Sequence, residues 1–279
     1  MHKMTNDHIH SEAVRRLRIG GLIHQGKMHD QSTIVSLIEA KCDRHKIQLG
    51  HDIVYNDHAH ELIYHEIFGK LGAIYLRVAD TKRSLRYLSA ALAGNYRALP
   101  LRKWVEDLGS DGDKYMSWPT FKTVASVILL PGSNLYKKHT NKKLIIEALD
   151  SGAYIKPHPL LSPSHFDELR DEFGGRVLNP KESGFAHVKN ADVVYTTGDS
   201  ELGLYALLLG KKVKSVANNN FQGGFGPLFS QVINAPNPTM ALTRILSDPI
   251  SGVFFPGESL KEDVDRFFER FIVSDSEIN

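Results

Sequence analysis

Short apolar runs and amphipathic stretches alternate along most of this chain, and the alternation predicts its elements. Leu17 to Ile23 reads as a first strand, and the loop His24 to Asp30 leads into a helix from Ser32 to Lys46 with Ile34, Leu37, Ile38 and Cys42 on one face. Ile53 to Tyr55 reads as a short strand, Glu61 to Lys70 as a helix and Ala73 to Val78 as a third strand. Thr81 is placed to cap a helix running through Leu92, and another helix is expected near Leu101 to Leu108. Gly109 to Pro119 is crowded with turn formers and is the expected linker.

Beyond it the alternation becomes regular. Strands are expected at Thr123 to Leu130, 153 to 156, Arg176 to Leu178, 192 to 195 and 213 to 216. Helices are expected at Asn141 to Leu149, Ser164 to Phe173, Glu182 to Asn190 and 201 to 209, with Pro131 to Asn134 as the first exit loop. Such a series implies a parallel, doubly wound sheet. After the Gly-rich loop 218 to 226 come a helix near Thr239 to Leu246 and a charged amphipathic one from Leu260 to Ile272. The division that follows is an N-terminal Rossmann-like domain over 1–118, a C-terminal Rossmann-like domain over 119–257, and a helix over 258–279.

Two phrases carry candidate chemistry. In Ala153-Tyr-Ile-Lys-Pro-His-Pro159 a strand ends on Lys156, and two prolines hold His158 in extended backbone. In Ala191 to Lys211 a buried strand runs into the turn Thr196-Thr-Gly-Asp199, and Ser200 stands as N-cap of an apolar helix that Gly210 stops. A strand, a small polar turn and a helix N-terminus present free N–H groups to an anion. The pair reads as a phosphate-facing cleft, with His158 able to offset charge developing on a nucleotide phosphate.

Taken together over residues 124 to 217, these phrases resemble the C-terminal half of capsule-polysaccharide synthesis glycosyltransferases, the group that includes the β-Kdo transferases. They are more loosely similar to glycerophosphotransferases of the same GT-B architecture. The resemblance implies an α/β, GT-B-like fold of two Rossmann-like domains with parallel sheets facing a cleft, 1–118 on the acceptor side and 119–257 binding the nucleotide-sugar, with the helix over 258–279 packing back on the first domain. It also implies transfer of a sugar from a nucleotide-sugar donor, without metal or other cofactor, to a glycan or lipid-linked acceptor. On that reading Lys156, His158, Thr196, Thr197, Gly198, Ser200, Glu201 and Ser133 hold the donor. The catalytic base comes from an N-terminal loop, with His29, Asp30, Asp57 and His58 as candidates. The sequence departs from the family pattern at Tyr205, where a Glu is usual, and at Lys212, where a Pro is usual.

Composition trims the alternatives. The chain has 279 residues, a net charge of +2 and one cysteine, Cys42, so no internal disulfide or cysteine-based metal site is available. No apolar run reaches the length of a membrane span, and the polar start does not read as a signal peptide, so a cytoplasmic protein without stable membrane insertion is expected. Residues 1 to 100 hold 14 Lys/Arg against 10 Asp/Glu, whereas Glu258 to Asn279 holds 3 against 7. A basic N-terminal half suits an anionic acceptor, and a phage-type enzyme acting on hydroxymethylated bases in DNA would use Lys82, Arg83, Arg86, Arg97, Arg102 and Lys103 along the phosphates. A catalytically inactive GT-B-like nucleotide-binding protein and an epimerase of the same shape are further readings. Ten of the 14 histidines lie in residues 1 to 65, but their spacing has no metal-binding pattern such as HExxH. Asp111-Gly-Asp113 sits in the turn-rich linker, not behind an apolar strand, and Gly223 to Gly226 lacks the strand and helix of a phosphate loop.

Overall fold

The computed structural model describes residues 31–51, 60–94, 99–108, 122–198, 200–218 and 224–276. The proposed strands at Leu17 to Ile23 and Ile53 to Tyr55, the linker Gly109 to Pro119 and the Asp111-Gly-Asp113 motif lie outside those residues. Within them the chain is an α/β protein with two four-stranded sheets.

The second sheet follows from its sequence. Strands β4 (Ser126–Leu129), β5 (Tyr154–Lys156), β6 (Val193–Thr196) and β7 (Lys212–Ser215) are all parallel, in the order β5-β4-β6-β7. The stretch expected as a strand at Arg176 to Leu178 is a short 3₁₀ turn over Gly174–Arg176, followed by a single parallel bridge from Val177 to Ile155. Two consecutive glycines favour the turn, yet the chain still occupies the place of an edge strand beside β5. Counting that bridge, the five positions run third, second, first, fourth, fifth in chain order, and the order reverses between β4 and β6.

Helices cover both faces of this sheet. On one, α4 (Ser133–His139), α5 (Lys142–Asp150) and α6 (Pro163–Phe173) enclose Ile128, Ile145, Ile155, Leu169 and Tyr195. On the other, α7 (Gly184–Asn190) and α8 (Glu201–Leu208) enclose Val127, Val188, Val194 and Ala206.

The first sheet is mixed, where parallel pairing was expected. Its order is β1 (Leu49–His51), β2 (Leu62–Ile67), β3 (Ala73–Val78), β8 (Val253–Phe254). Only β1 and β2 are parallel; β2 and β3 form an antiparallel hairpin in the register Leu62↔Val78 to Ile67↔Ala73. Its connection, Phe68 to Gly72, is far too short for a parallel crossover. The helix expected over Glu61 to Lys70 is thereby corrected: Leu62-Ile-Tyr-His-Glu-Ile67 is rich in β-branched and aromatic residues and gains a partner strand within reach.

Distant chain completes this sheet. β8 pairs with β3, and α11 (Leu260–Ser276) packs Val264, Phe267, Phe268 and Phe271 against Ile34, Ile38 and Cys42 of α1 (Ser32–His45) and against Leu62, Ile74 and Leu76. The opposite face carries α2 (Thr81–Ala93) and α3 (Leu101–Leu108), and with them α9 (Gly226–Ile233) and α10 (Pro238–Ser247). α9 begins inside the stretch expected as loop, because Pro227 at the first helical turn removes an N–H that had no partner there. Asp80, not Thr81, caps α2, accepting from the Arg83 N–H at 2.7 Å.

α8 joins the two halves. Its residues from Gly203 to Leu208 are all buried, as befits a helix that is apolar all round. Ala206 faces the parallel sheet, whereas Leu204, Tyr205, Leu207 and Leu208 share one core with Ile67, Phe68, Tyr75 and Leu228. Tyr205 is wedged between Phe68, with ring centroids 5.1 Å apart, and Phe185, at 5.6 Å.

Candidate functional site

Parallel strands deliver their C-terminal ends to one edge, and in open α/β sheets ligands favour the crevice where strand order reverses. Here that point lies between β4 and β6. The turn Leu130-Pro-Gly132 leaves β4 there and enters α4 at Ser133; the turn from Thr197 to Ser200 leaves β6 and enters α8. The Ser133 backbone opens α4 at this edge. β5, whose end carries Lys156 and His158, is the next strand outward.

The two threonines of the β6 turn face inward. Thr196 and Thr197 are fully buried, and the Thr196 hydroxyl donates to the Thr197 carbonyl at 3.0 Å. Gly198 is packed against the start of α9: a Cβ there would stand 2.9 Å from the Gly226 Cα. The last glycine of the Gly-rich run thus closes over the β6 turn, a neighbour that linear distance conceals.

Ser200 differs from the other serine, asparagine and aspartate caps among the α-helices. Asp80, Asn141, Ser162, Ser183 and Asn237 each accept a hydrogen bond from an N–H of the helix they start. Ser200 has the extended backbone of a cap, with φ −99° and ψ 117°, but its hydroxyl makes no cap hydrogen bond. Glu201 follows in the first turn and hydrogen-bonds the Tyr205 hydroxyl. Burial raises the Tyr205 phenol well above its ordinary pKa, and the Glu201 charge adds to the shift. Tyr205 therefore belongs to the junction core.

His158 and Lys156 have divergent surroundings. His158 is half-buried, and its Nδ1 accepts the Leu160 N–H at 3.1 Å. That bond fixes the neutral tautomer with hydrogen on Nε2, a donor suited to an oxygen ligand. Lys156 is buried, and its ammonium donates to the carbonyls of Pro157 at 2.7 Å and Pro180 at 2.9 Å. It ties the end of β5 to the segment before α7.

Sequence reasoning passed over a second buried polar pair in that segment: Glu182 Oε2 and His187 Nε2 are 2.9 Å apart, both inaccessible to solvent. Glu182 precedes the cap Ser183 and His187 lies in the first turns of α7, a spacing at which side chains meet across a helix start, so the local pattern could have found the pair.

The four candidate bases, His29, Asp30, Asp57 and His58, lie outside the described residues, as does Arg97. Of the proposed basic track, Lys82, Arg86 and Lys103 are exposed, while the Arg83 guanidinium stacks 4.9 Å over the Phe271 ring, part of the core under α11. Among the described residues no group of three or more His, Cys, Asp or Glu side chains is placed to hold a metal ion. Burial, reinforced by Asp43, pushes the Cys42 thiol up to about 12, which leaves it protonated and unreactive. No described helix is long and apolar enough to cross a membrane.

No protein-family model matches the chain, and neither does any curated protein. Among solved structures the chain is similar to KpsC of Thermosulfurimonas dismutans, a beta Kdo 2,7 transferase, at 15% identity and a TM-score of 0.44, covering 83% of this chain and 88% of that one.

Proposed function

We propose that this protein is a glycosyltransferase of GT-B type that binds a nucleotide-sugar at the β4/β6 reversal and passes the sugar to a hydroxyl acceptor. The observation that carries the proposal is the meeting of two strand-to-helix turns, at Gly132–Ser133 and Thr197–Ser200, at the point of reversal, with the His158 imidazole one strand away. The order and wording of the Lys-Pro-His-Pro and Asp192 to Lys211 phrases support it independently.

In this reading the N–H groups opening α8, with the uncommitted Ser200 hydroxyl, receive the diphosphate. His158 donates through Nε2 to an oxygen of the departing nucleotide, stabilising the charge that grows as the glycosidic bond breaks. Lys156 acts at one remove, holding the β5 end in place. Gly198 lets the α9 start close over the turn, and Thr196 and Thr197 shape it from inside. The base that deprotonates the acceptor is one of His29, Asp30, Asp57 and His58. Neither metal nor cofactor is needed, the acceptor is a glycan or lipid-linked sugar met in the cytoplasm, and the ribose is held by a residue other than Tyr205. That last point also favours a second reading, a nucleotide-binding protein without turnover, because the junction core occupies the position of the expected Glu.

A thermal-shift screen over UDP-, GDP- and CMP-sugars separates these readings from failure of both. A true donor at a hundred times its dissociation constant stabilises the fold by about 2.7 kcal/mol. His158→Ala should leave the melting temperature near the parent's and lower turnover about a hundredfold, equivalent to about 2.7 kcal/mol. Donor binding with neither hydrolysis nor transfer would support the inactive reading. No stabilisation by any nucleotide or nucleotide-sugar would sink both.

A further inference from the structure

Helix α6 carries two rows of carboxylates, and the protein treats them differently. Glu168 and Glu172, one turn apart, are met by lysines from neighbouring helices: Lys137 Nζ is 2.8 Å from Glu168, and Lys142 pairs with Glu172. Asp167 and Asp171, also one turn apart, meet no cation among the described residues and instead line a cavity of about 780 Å³. Like charges at this spacing oppose the helix.

Opposite the aspartates the cavity wall is the edge segment that takes the place of a strand beside β5. Gly174 and Gly175 leave it bare, and a Cβ at either would meet nothing within 4 Å. Gly174 has φ +55°, which explains its lack of a side chain. Gly175 has neither a positive φ nor a neighbour to avoid, and it continues the tight turn that Gly174 begins. Its effect is to keep the cavity open to an approach along the backbone.

The remaining lining is mixed in a way that selects a ligand class. Phe166 contributes a half-buried ring, and the Arg170 guanidinium carbon lies 5.8 Å from its centroid. Asn179 spends its Oδ1 on the Lys181 N–H at 2.9 Å, leaving its NH₂ as a donor. Two carboxylates that only accept, a guanidinium and an amide NH₂ that only donate, and one aromatic face suit a ring bearing many hydroxyls, each both donor and acceptor, and C–H groups on its flat side. Two aspartates against one arginine disfavour a phosphate or an acidic sugar. The cavity's carboxylates are too few to cage a metal ion.

We propose that the groove between α6 and residues 174–179 is a secondary binding site for neutral saccharide, separate from the β4/β6 reversal. The inference stands on the lining and does not require glycosyl transfer.

The test titrates the full chain, without nucleotide, with maltotriose, mannotriose and galactosyl-lactose, using hyaluronan tetrasaccharide as the acidic arm, and follows backbone amide resonances. At least one neutral sugar should shift the resonances of residues 166 to 179 with millimolar affinity, and the acidic one should not. Asp171→Ala and Gly175→Leu should each weaken that binding about tenfold while thermal melting stays near the parent's, since one side chain is exposed and the other has open space to enter. His158→Ala should leave it unchanged. The proposal fails if none of the three neutral sugars moves those resonances, if the acidic sugar binds more tightly, or if both groove variants bind like the parent.

Discussion

The two sheets differ in how far apart their pieces lie along the chain. Every strand of the parallel sheet and every helix covering it comes from residues 126 to 215, in unbroken succession. The mixed sheet draws β1 to β3 from residues 49 to 78, then waits until Val253 for its last strand and Leu260 for the helix that covers one face. A sheet closed by distant chain depends on contacts of high sequence separation, whose loop-closure cost falls due before they stabilise anything. The parallel sheet is therefore the part expected to form early, and the mixed sheet the part most sensitive to damage at the C-terminus.

The sharpest way to break that comparison is Phe267→Ala. Phe267 is about 1% exposed and packs on Phe254, Phe268 and Phe271, so its loss should cost about 3–5 kcal/mol in urea unfolding. If α11 were a loosely attached appendage, the cost would be a small fraction of that, and the two-sheet contrast would collapse.

Alkali should act next. Burial raises the Tyr75 phenol from 10.0 to about 12 and the Cys42 thiol from 9.0 to about 12, and Tyr205 shifts upward too. Between about pH 9 and 12 the unfolded chain holds fewer protons than the folded one at these groups, so stability falls as pH rises through that window. Cys42 and Tyr75 lie in the cores of the mixed sheet and Tyr205 in the junction. Equilibrium unfolding at stepped pH should show a shallower alkaline loss in Cys42→Ala than in the parent; identical slopes would remove the thiol from the account.

At the junction, Gly198→Ala forces a Cβ to within 2.9 Å of the Gly226 backbone, and overpacking of this kind costs about 1–3 kcal/mol. Calorimetry reads it directly, and an unchanged melting temperature would mean that α9 yields freely to the β6 turn.

The smallest effect separates two serines that cap the helices on one face of the parallel sheet. Ser183 accepts the Ala186 N–H at 2.9 Å, so Ser183→Ala should cost about 1 kcal/mol. Ser200 makes no such bond, so Ser200→Ala should barely change stability while weakening nucleotide-sugar binding. Equal thermal losses in the two variants would make Ser200 an ordinary cap.

What could be read in the sequence follows the same division. Most of residues 126 to 215 can be read locally because the β–α units carry their own signals: apolar strands at β4, β5 and β6, capping Asn141, Ser162 and Ser183, and glycines just past α5, α6 and α8. Four strands, four of the five helices and the parallel sense follow from local pattern; helix Ser133–His139 lies partly in the expected exit loop, and the strand expected at Arg176 to Leu178 is reduced to one bridge. The helix expected over Glu61 to Lys70 gives way to β2, because six residues rich in apolar and aromatic side chains suit either state until a partner strand selects one. β8, only two residues long, has no period to detect.

For the candidate site, sequence supplied the two phrases and the residue types within them. Their separate fates were decided by packing: Lys156 turned onto two carbonyls, Tyr205 buried against Phe68 and Phe185, Ser200 left without its cap bond, and Gly226 set against Gly198. Local pattern determines which backbone state a segment prefers, because the relevant energies act within a few residues. Which side chain reaches a ligand depends on what arrives from elsewhere in the chain to cover its neighbours, and that only the tertiary structure decides.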